Sequence, residues 1–391
     1  MHPTMARRDF LAGSGAALLG ATLGGCATGP AALPPPGPRV LALQPLRARP
    51  DRITRVTVCT RPFRADGPRI EAERVGDKTI VHNYGHGGSG WSLSWGSGTL
   101  AVELAMATGE RDVAVVGCGA IGLTTATLLQ RAGARVTIYA KDLPPNVRSA
   151  LATGTWTPDS RIALAERATP GFKQRWQRMA RTSFEAYQTL LGLPGTPVEF
   201  FDLYFVSDEG ATAAVQPTDD RPRFAQLQRE LVPELLPQAE DFGPGSHPLG
   251  AHRLRRVPSM MFNLVSYTRL LLGDFVANGG RIEVTELHAA ADFARLRERT
   301  VVNATGYGAR ALLGDTSVTP VRGQLARTAP EAGVDYGLVF RNVAFVPRRD
   351  GFVFQMLGEN EYYGYGDEGT APDRAEAERA VGTIGSLFPA A

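Results

Sequence analysis

Residues 117–122 read Gly117-Cys118-Gly119-Ala120-Ile121-Gly122, a G-x-G-x-x-G loop. Glycines at that spacing have separate tasks at a dinucleotide. Gly117 permits a tight turn, Gly119 lets the backbone approach a pyrophosphate, and Gly122 lets a helix pack closely on the preceding strand. The flanks suit these tasks. DVAVVG (112–117) is rich in β-branched residues, LTTATLLQRA (123–132) is apolar at Leu123, Ala126, Leu129 and Ala132, and RVTIYA (135–140) follows Gly133. A strand, a loop, a helix and a second strand then occupy about thirty residues, and the helix N-terminus faces the phosphates. The loop alone leaves FAD and NAD open. After the second strand, Asp142 stands either at a ribose hydroxyl or as a surface charge.

A second segment, VHNYGHGGSGWSLSWGSG (81–98), crowds glycines among His, Asn and Tyr. Its plain reading is a turn before the helix TLAVELAMATG (99–109). Its sharper reading is a bare backbone pressed on a flat ligand, with free N–H groups for carbonyl oxygens. His82 and His86 read as braces of that backbone, not as an acid or base.

HNYGHGGSG followed shortly by W-G resembles the C-terminal signature of the D-amino-acid oxidase and D-aspartate oxidase family. RDVAVVGCGAIGLTTA (111–126), ATGTWTP (152–158), VVNATGYGAR (301–310) and TPVRGQL (319–325) resemble further segments of it. The resemblance runs from about residue 52 to the C-terminus. It implies an α/β fold in which a Rossmann-type FAD-binding domain is interleaved with a mixed-sheet substrate domain. It implies FAD, no metal, and flavin contacts from Gly117, Gly119, Ala120, Ile121, Gly122, Asp142, Thr153, Gly154, Thr155 and Trp156. Gly87, Gly88, Ser89, Gly90, Trp91 and Ser92 complete that set, with Gly88 closing the substrate pocket. The implied activity is oxidative deamination of a D-amino acid or related amine, with hydride passing to flavin N5. The products are an imine, its keto acid, ammonia and hydrogen peroxide. The alternatives are a flavin dehydrogenase with another electron acceptor, and an FAD-binding protein that has lost catalysis.

The motif order is rotated relative to that family, because HNYGHGG precedes the dinucleotide loop. We read the chain as circularly permuted, with the break between Phe388 and about Ile53, and with Ala107–Arg111 joining the old ends. At the substrate, the resemblance assigns the carboxylate ligand to Arg61, with Arg64 as neighbour; guanidinium geometry suits a carboxylate. Two family tyrosines fall on Phe340 and Ala344, which lack hydroxyls. Arg322 matches a flavin-proximal arginine and is equally placed for a structural role. Tyr362, Tyr363 and Tyr365 read as strand residues paired across a sheet, with lining of the site as the alternative.

The elements that must position these groups divide into alternating stretches. Residues 52–69, 161–264 and 316–391 are expected in the substrate domain, and residues 70–160 and 265–315 in the FAD domain. A helix near 175–191 has an apolar face at Trp176, Ala180, Phe184, Tyr187 and Leu191. Residues 260–280 read as a strand end and a long helix before the strand RIEV, and residues 208–256 as a long loop with short helices, a candidate lid. At the N-terminus, ARRDFLAGSGAALLGATLGGC (6–26) resembles a Tat signal, either plain or ending in a lipobox whose Cys26 is acylated and holds the protein at a membrane. The Ala/Gly/Pro-rich residues 27–51 read as a tether.

A net charge of +3 without a basic aromatic stripe argues against nucleic acid, and three cysteines make no disulfide framework. Glycine, 44 of 391 residues, exceeds the usual ~7% and fits many close backbone approaches.

Overall fold

The computed structural model describes residues 40–208, 220–235 and 237–389. In chain order its strands are β1 (Arg55–Phe63), β2 (Arg69–Val75), β3 (Lys78–Tyr84), β4 (Asp112–Val116), β5 (Arg135–Ala140), β6 (Val198–Ser207) and β7 (Glu240–Phe242). They continue with β8 (Arg253–Phe262), β9 (Arg281–Val284), β10 (Thr300–Asn303), β11 (Thr319–Thr328), β12 (Gly337–Phe340), β13 (Val343–Val346) and β14 (Phe352–Met356). The helices are α1 (Gly90–Met106), α2 (Ala120–Arg131), α3 (Pro170–Gln188), α4 (Leu227–Leu231), α5 (Leu264–Ala277), α6 (Ala309–Leu313) and α7 (Arg374–Gly385).

One sheet has the order β2-β3-β10-β4-β5-β9. Its members run parallel except the edge strand β2, which is antiparallel to β3. All four residues of β10 (TVVN) are buried, as in a parallel strand covered on both faces. The other sheet has the order β1-β11-β14-β13-β12-β6-β8-β7, antiparallel apart from the β12–β6 pair. Arg341 and Asn342, at φ 43° and 61°, make the two-residue turn between β12 and β13. That left-handed pair matches the twist of a tight hairpin.

α1 sits between the sheet and two other helices because glycines thin it. A Cβ on Gly96 would fall 2.2 Å from the Met179 carbonyl oxygen of α3, and one on Gly98 would fall 2.9 Å from Leu128 of α2. Two of the six glycines of the signature therefore pack helices instead of a ligand. Through this contact α3, from the stretch expected in the substrate half, packs against α1. Trp176, Ala180 and Tyr187 of α3 are buried as its apolar spacing requires, while Leu191 is exposed beyond the helix end.

Two expectations are corrected. Residues 208–256 carry a short helix, α4, as expected, but also the strand β7 and the start of β8; residues 209–219 lie outside the described residues. Tyr362, Tyr363 and Tyr365 lie in turns after β14, and a single bridge joins Tyr365 to Val321.

The segment expected to be a tether joins the core from Leu43 onward. Leu43, Leu46 and Ala48 are buried with Val381, Ile384 and Leu387 in one cluster, and the Tyr336 hydroxyl donates to the Gln44 carbonyl at 2.6 Å. Leucine burial outweighs the proline-rich composition. The signal, Cys26 and residues 27–39 lie outside the described residues. Replacing Leu46, which is 1% exposed, by Ala should lower the free energy of urea unfolding by about 2–5 kcal/mol. A change near zero would return this segment to the status of a tether.

Candidate functional site

A cleft of about 950 Å³ opens at the carboxyl ends of β3, β10, β4 and β5, and Cys59–Pro62 of β1 closes one side. The chain leaves β4 through α2 to β5 on one flank and returns as β10 on the other, so the cleft lies at a topological switch point.

Backbone approach dictates the first wall. Gly117 has φ 111°, and a Cβ there would lie 2.5 Å from the Ala304 carbonyl oxygen across β10. A Cβ on Gly122 would lie 2.0 Å from the Gly117 oxygen, so Gly122 works behind the turn while Gly117, Cys118, Gly119, Ala120 and Ile121 line the cleft. Gly119 precedes α2, and the Ala120 N–H donates to Ser149 Oγ at 3.0 Å. Burial pushes the Cys118 thiol up to about 12, so it stays protonated. At the far end, Asp142 is exposed and lines the cleft, and Lys141 pairs with Glu286 at 2.9 Å.

The second wall is the glycine-rich loop between β3 and α1. The Gly87 N–H donates to the Pro62 carbonyl at 2.8 Å, and the Gly88 N–H donates to the Ser160 carbonyl at 2.9 Å. Gly87 has φ 55°, and a Cβ there would fall 1.9 Å from the Arg161 carbonyl oxygen. Gly87, Gly88, Gly90 and Trp91 line the cleft. Ser89 and Ser92 point elsewhere: the Ser89 hydroxyl donates to the Ser160 carbonyl at 3.1 Å, and Ser92 Oγ accepts from the Thr157 N–H at 2.8 Å. Thr153, Gly154, Thr155 and Trp156 also stand apart from the lining. Thr155 bridges to Met261 on β8, the Thr153 hydroxyl meets Gln355, and Trp156 packs edge-on to Phe184 at 5.4 Å. Ala152, just before them, does line the cleft.

The donor set and the bare backbone fit FAD. Gly90 and Gly306 line the cleft, and a Cβ at either would meet nothing within 4 Å. A flat ring therefore finds main chain there, while the α2 N-terminus serves a pyrophosphate.

In the substrate corner, Arg61 lines the cleft from β1 and its guanidinium lies over Gly323 of β11. A Cβ on Gly323 would come within 2.5 Å of Arg61 Nη2. Arg61 Nη1 donates to the Arg322 carbonyl at 3.3 Å, and among the described residues no carboxylate pairs with it. Its neighbours are neutralised instead. Arg64 pairs with Asp315 at 2.5 Å, and Arg322 with Glu376 at 3.3 Å, both structural roles. Phe340 is buried edge-on to His252 in the cluster around α7, and Ala344 is buried beside it in the hairpin; neither lines the cleft. Aromatic surface comes from another quarter. Phe63, two residues after Arg61, packs on Phe224 at 5.2 Å and Tyr365 at 5.7 Å, and Tyr362 joins them. Sequence reasoning missed Arg148, which lines the cleft with its guanidinium 4.9 Å from the Tyr307 ring.

The histidines hold the second wall by hydrogen bonds. His82 meets Glu73 at 3.0 Å and Asn303 at 3.2 Å. His86 meets Ser97 at 2.7 Å, and Ser97 donates to Asn83 at 2.6 Å. Burial lowers the His86 pKa from 6.5 to about 3, so the folded ring stays neutral. The unfolded chain takes up that proton first, so His86 withdraws stability as pH falls from 6.5 toward 3. Between pH 7 and 5 this costs about 2 kcal/mol. Urea unfolding of His86→Gln should show that much less acid sensitivity than the parent, and equal acid sensitivity would contradict the neutral ring.

The comparisons agree with this geometry. Residues 112–391 match the family model described as DAO, FAD dependent oxidoreductase. The chain is 28% identical over 279 residues to a D-amino-acid oxidase of Rubrobacter xylanophilus, covering 70% of this chain and 76% of that protein. It is 34% identical over 223 residues to a D-amino-acid oxidase of Streptomyces coelicolor, covering 55% and 59%. Among solved structures it is similar to iminodiacetate oxidase from Chelativorans sp. (TM-score 0.49, 15% identity, 71% of this chain and 79% of that one). Glycine oxidase from Geobacillus kaustophilus gives a TM-score of 0.48 at 14% identity over 72% and 79%. With its switch-point cleft, its glycine walls and a family match over most of its length, the chain belongs to the DAO family of FAD-dependent oxidoreductases.

Proposed function

We propose that the chain oxidises a D-amino acid, or a related amine carrying a carboxylate, to an imine that water converts to a keto acid and ammonia. The observation that carries this reading is Arg61, a half-buried guanidinium at the cleft wall with no carboxylate partner among the described residues. A planar cation in that state suits a bidentate carboxylate. When bound, FAD supplies the acceptor for the substrate hydride at N5, and oxygen takes the electrons onward as hydrogen peroxide.

The protein's own part is positioning. Arg61 fixes the carboxylate and so the direction in which the α-carbon faces. Gly323 leaves room for the guanidinium, and Gly87 and Gly88 keep the opposite wall free of side chains. Phe63, two residues after Arg61 on β1, is fixed against Phe224 and Tyr365 and so holds the strand that carries the cation.

The same reading makes the chain an exported circular permutant, delivered by a Tat signal and anchored through Cys26. The contact of its ends supports the permutation. A Cβ on Gly385 would fall 2.2 Å from the Ala48 carbonyl oxygen, Arg374 donates to the Pro50 carbonyl at 3.0 Å, and Ile53 and Phe388 flank one core cluster. Termini that lie close together are the usual condition for such a rearrangement.

Arg61→Ala should raise KM for the amino acid by about 100-fold or more and leave the visible flavin spectrum unchanged. Unchanged steady-state kinetics would remove Arg61 from the site. Gly323→Ala should push the flexible guanidinium aside rather than unfold the sheet. A raised KM at nearly unchanged melting temperature is expected, and a large loss of stability with normal KM would contradict the role given to Gly323.

A further inference from the structure

Among the described residues, four Lys and Arg side chains line the cleft: Arg61, Lys141, Arg148 and Arg310. Lys141 has Glu286 at 2.9 Å. Arg310 has Glu368 at 3.6 Å, and its Nη1 donates to the Thr316 and Val318 carbonyls. Arg61 belongs to the substrate corner. Arg148 is the cation that remains. No carboxylate among the described residues pairs with it, and its guanidinium rests against the Tyr307 ring at 4.9 Å.

The backbone that carries Arg148 is fixed to the dinucleotide loop. Val147 before it is buried in the core cluster that holds α2. Ser149 after it accepts the Ala120 N–H through Oγ at 3.0 Å, and the Trp91 Nε1–H through its carbonyl at 2.8 Å. Ala120 is the first residue of α2, and a Cβ on Gly119 would lie 3.1 Å from Ser149 Oγ. On the far side, Tyr307 stands three residues after Ala304, whose carbonyl faces Gly117, and its hydroxyl donates to Glu368 at 3.0 Å. The Arg148 side chain thus reaches from the edge of the G-x-G-x-x-G loop to the turn after β10. A guanidinium against a ring covers one face and keeps its in-plane N–H fork, which matches two phosphate oxygens. The N-terminus of α2 offers backbone donors to the same kind of group.

We propose that Arg148 is a side-chain ligand of the FAD diphosphate. The glycine loop gives the diphosphate partial charges from backbone N–H groups, and Arg148 adds a full positive charge from an exposed side chain. Retention of FAD then depends on ionic strength, because salt screens an exposed cation. Arg148 acts on the cofactor and Arg61 on the substrate, so the two assignments stand or fall separately.

The test uses the full FAD-loaded chain and follows FAD release through flavin fluorescence after dilution. ADP and adenosine serve as competitors, and the concentration of each that displaces half of the FAD gives its affinity. Arg148→Gln should speed FAD release about 10- to 100-fold and should shrink the advantage of ADP over adenosine by a similar factor. Arg148→Lys, which keeps the charge without the fork, should fall between Arg148→Gln and the parent. Release from the parent should also quicken as salt is raised, and this dependence should weaken in Arg148→Gln. Unchanged FAD release in Arg148→Gln would overturn the proposal. Equal weakening of ADP and adenosine would also overturn it and leave Arg148 a packing partner of Tyr307. Salt-independent release from the parent would overturn it without any variant.

Discussion

Main chain meets main chain around the cleft at distances that admit no side chain, and the rest of the site depends on this. Gly117 against Ala304, Gly122 against Gly117 and Gly87 against Arg161 would each bring a Cβ within 2.5 Å of a carbonyl oxygen. The first two contacts seat α2 directly on the turn after β4, which aims its N-terminus into the cleft. The third draws the loop after β3 onto residues 160–161. A cofactor with a flat ring and a pyrophosphate then meets backbone N–H groups instead of mobile side chains, and such a wall requires no rearrangement on binding.

Binding of substrate is tied to the same economy of side chains. Arg61 projects from β1 across the pair β1–β11 and occupies the room that Gly323 leaves. The eight-stranded sheet thereby carries the cation, and the six-stranded sheet carries the glycine wall it faces. The hydrogen bond from Gly87 to Pro62, one residue after Arg61, joins the two sheets at this point. Displacement of either wall would change the distance between the carboxylate anchor and the flavin, so the two sheets set the precision of the site.

Much of the FAD half was legible because its signals are local. Gly117, Gly119 and Gly122 act within one strand-loop-helix unit, and their neighbours in sequence are their neighbours in space. The signature around His86 was legible as a motif but misread in part, because glycine has the same letter whether it clears a ligand or a helix. Gly96 and Gly98 serve α3 and α2, which only the packing reveals. Residues 40–51 read as tether because they continue the proline-rich run at 34–38, while the partners of Leu43 and Leu46 on α7 lie more than 300 residues away. Arg148 carried no local signal at all, for its place in the cleft wall beside Tyr307 joins residues 159 positions apart.

Anaerobic titration of the purified, FAD-loaded chain tests the account most directly. The visible spectrum is recorded while D-amino acids, L-amino acids, glycine and N-methyl amines are added in turn. The account predicts a yellow protein whose flavin absorbance bleaches with D-amino acids or with carboxylate-bearing amines. A yellow protein that none of these compounds bleaches would contradict the proposed oxidation, and a colourless chain that fails to take up FAD would contradict the reading of the cleft itself.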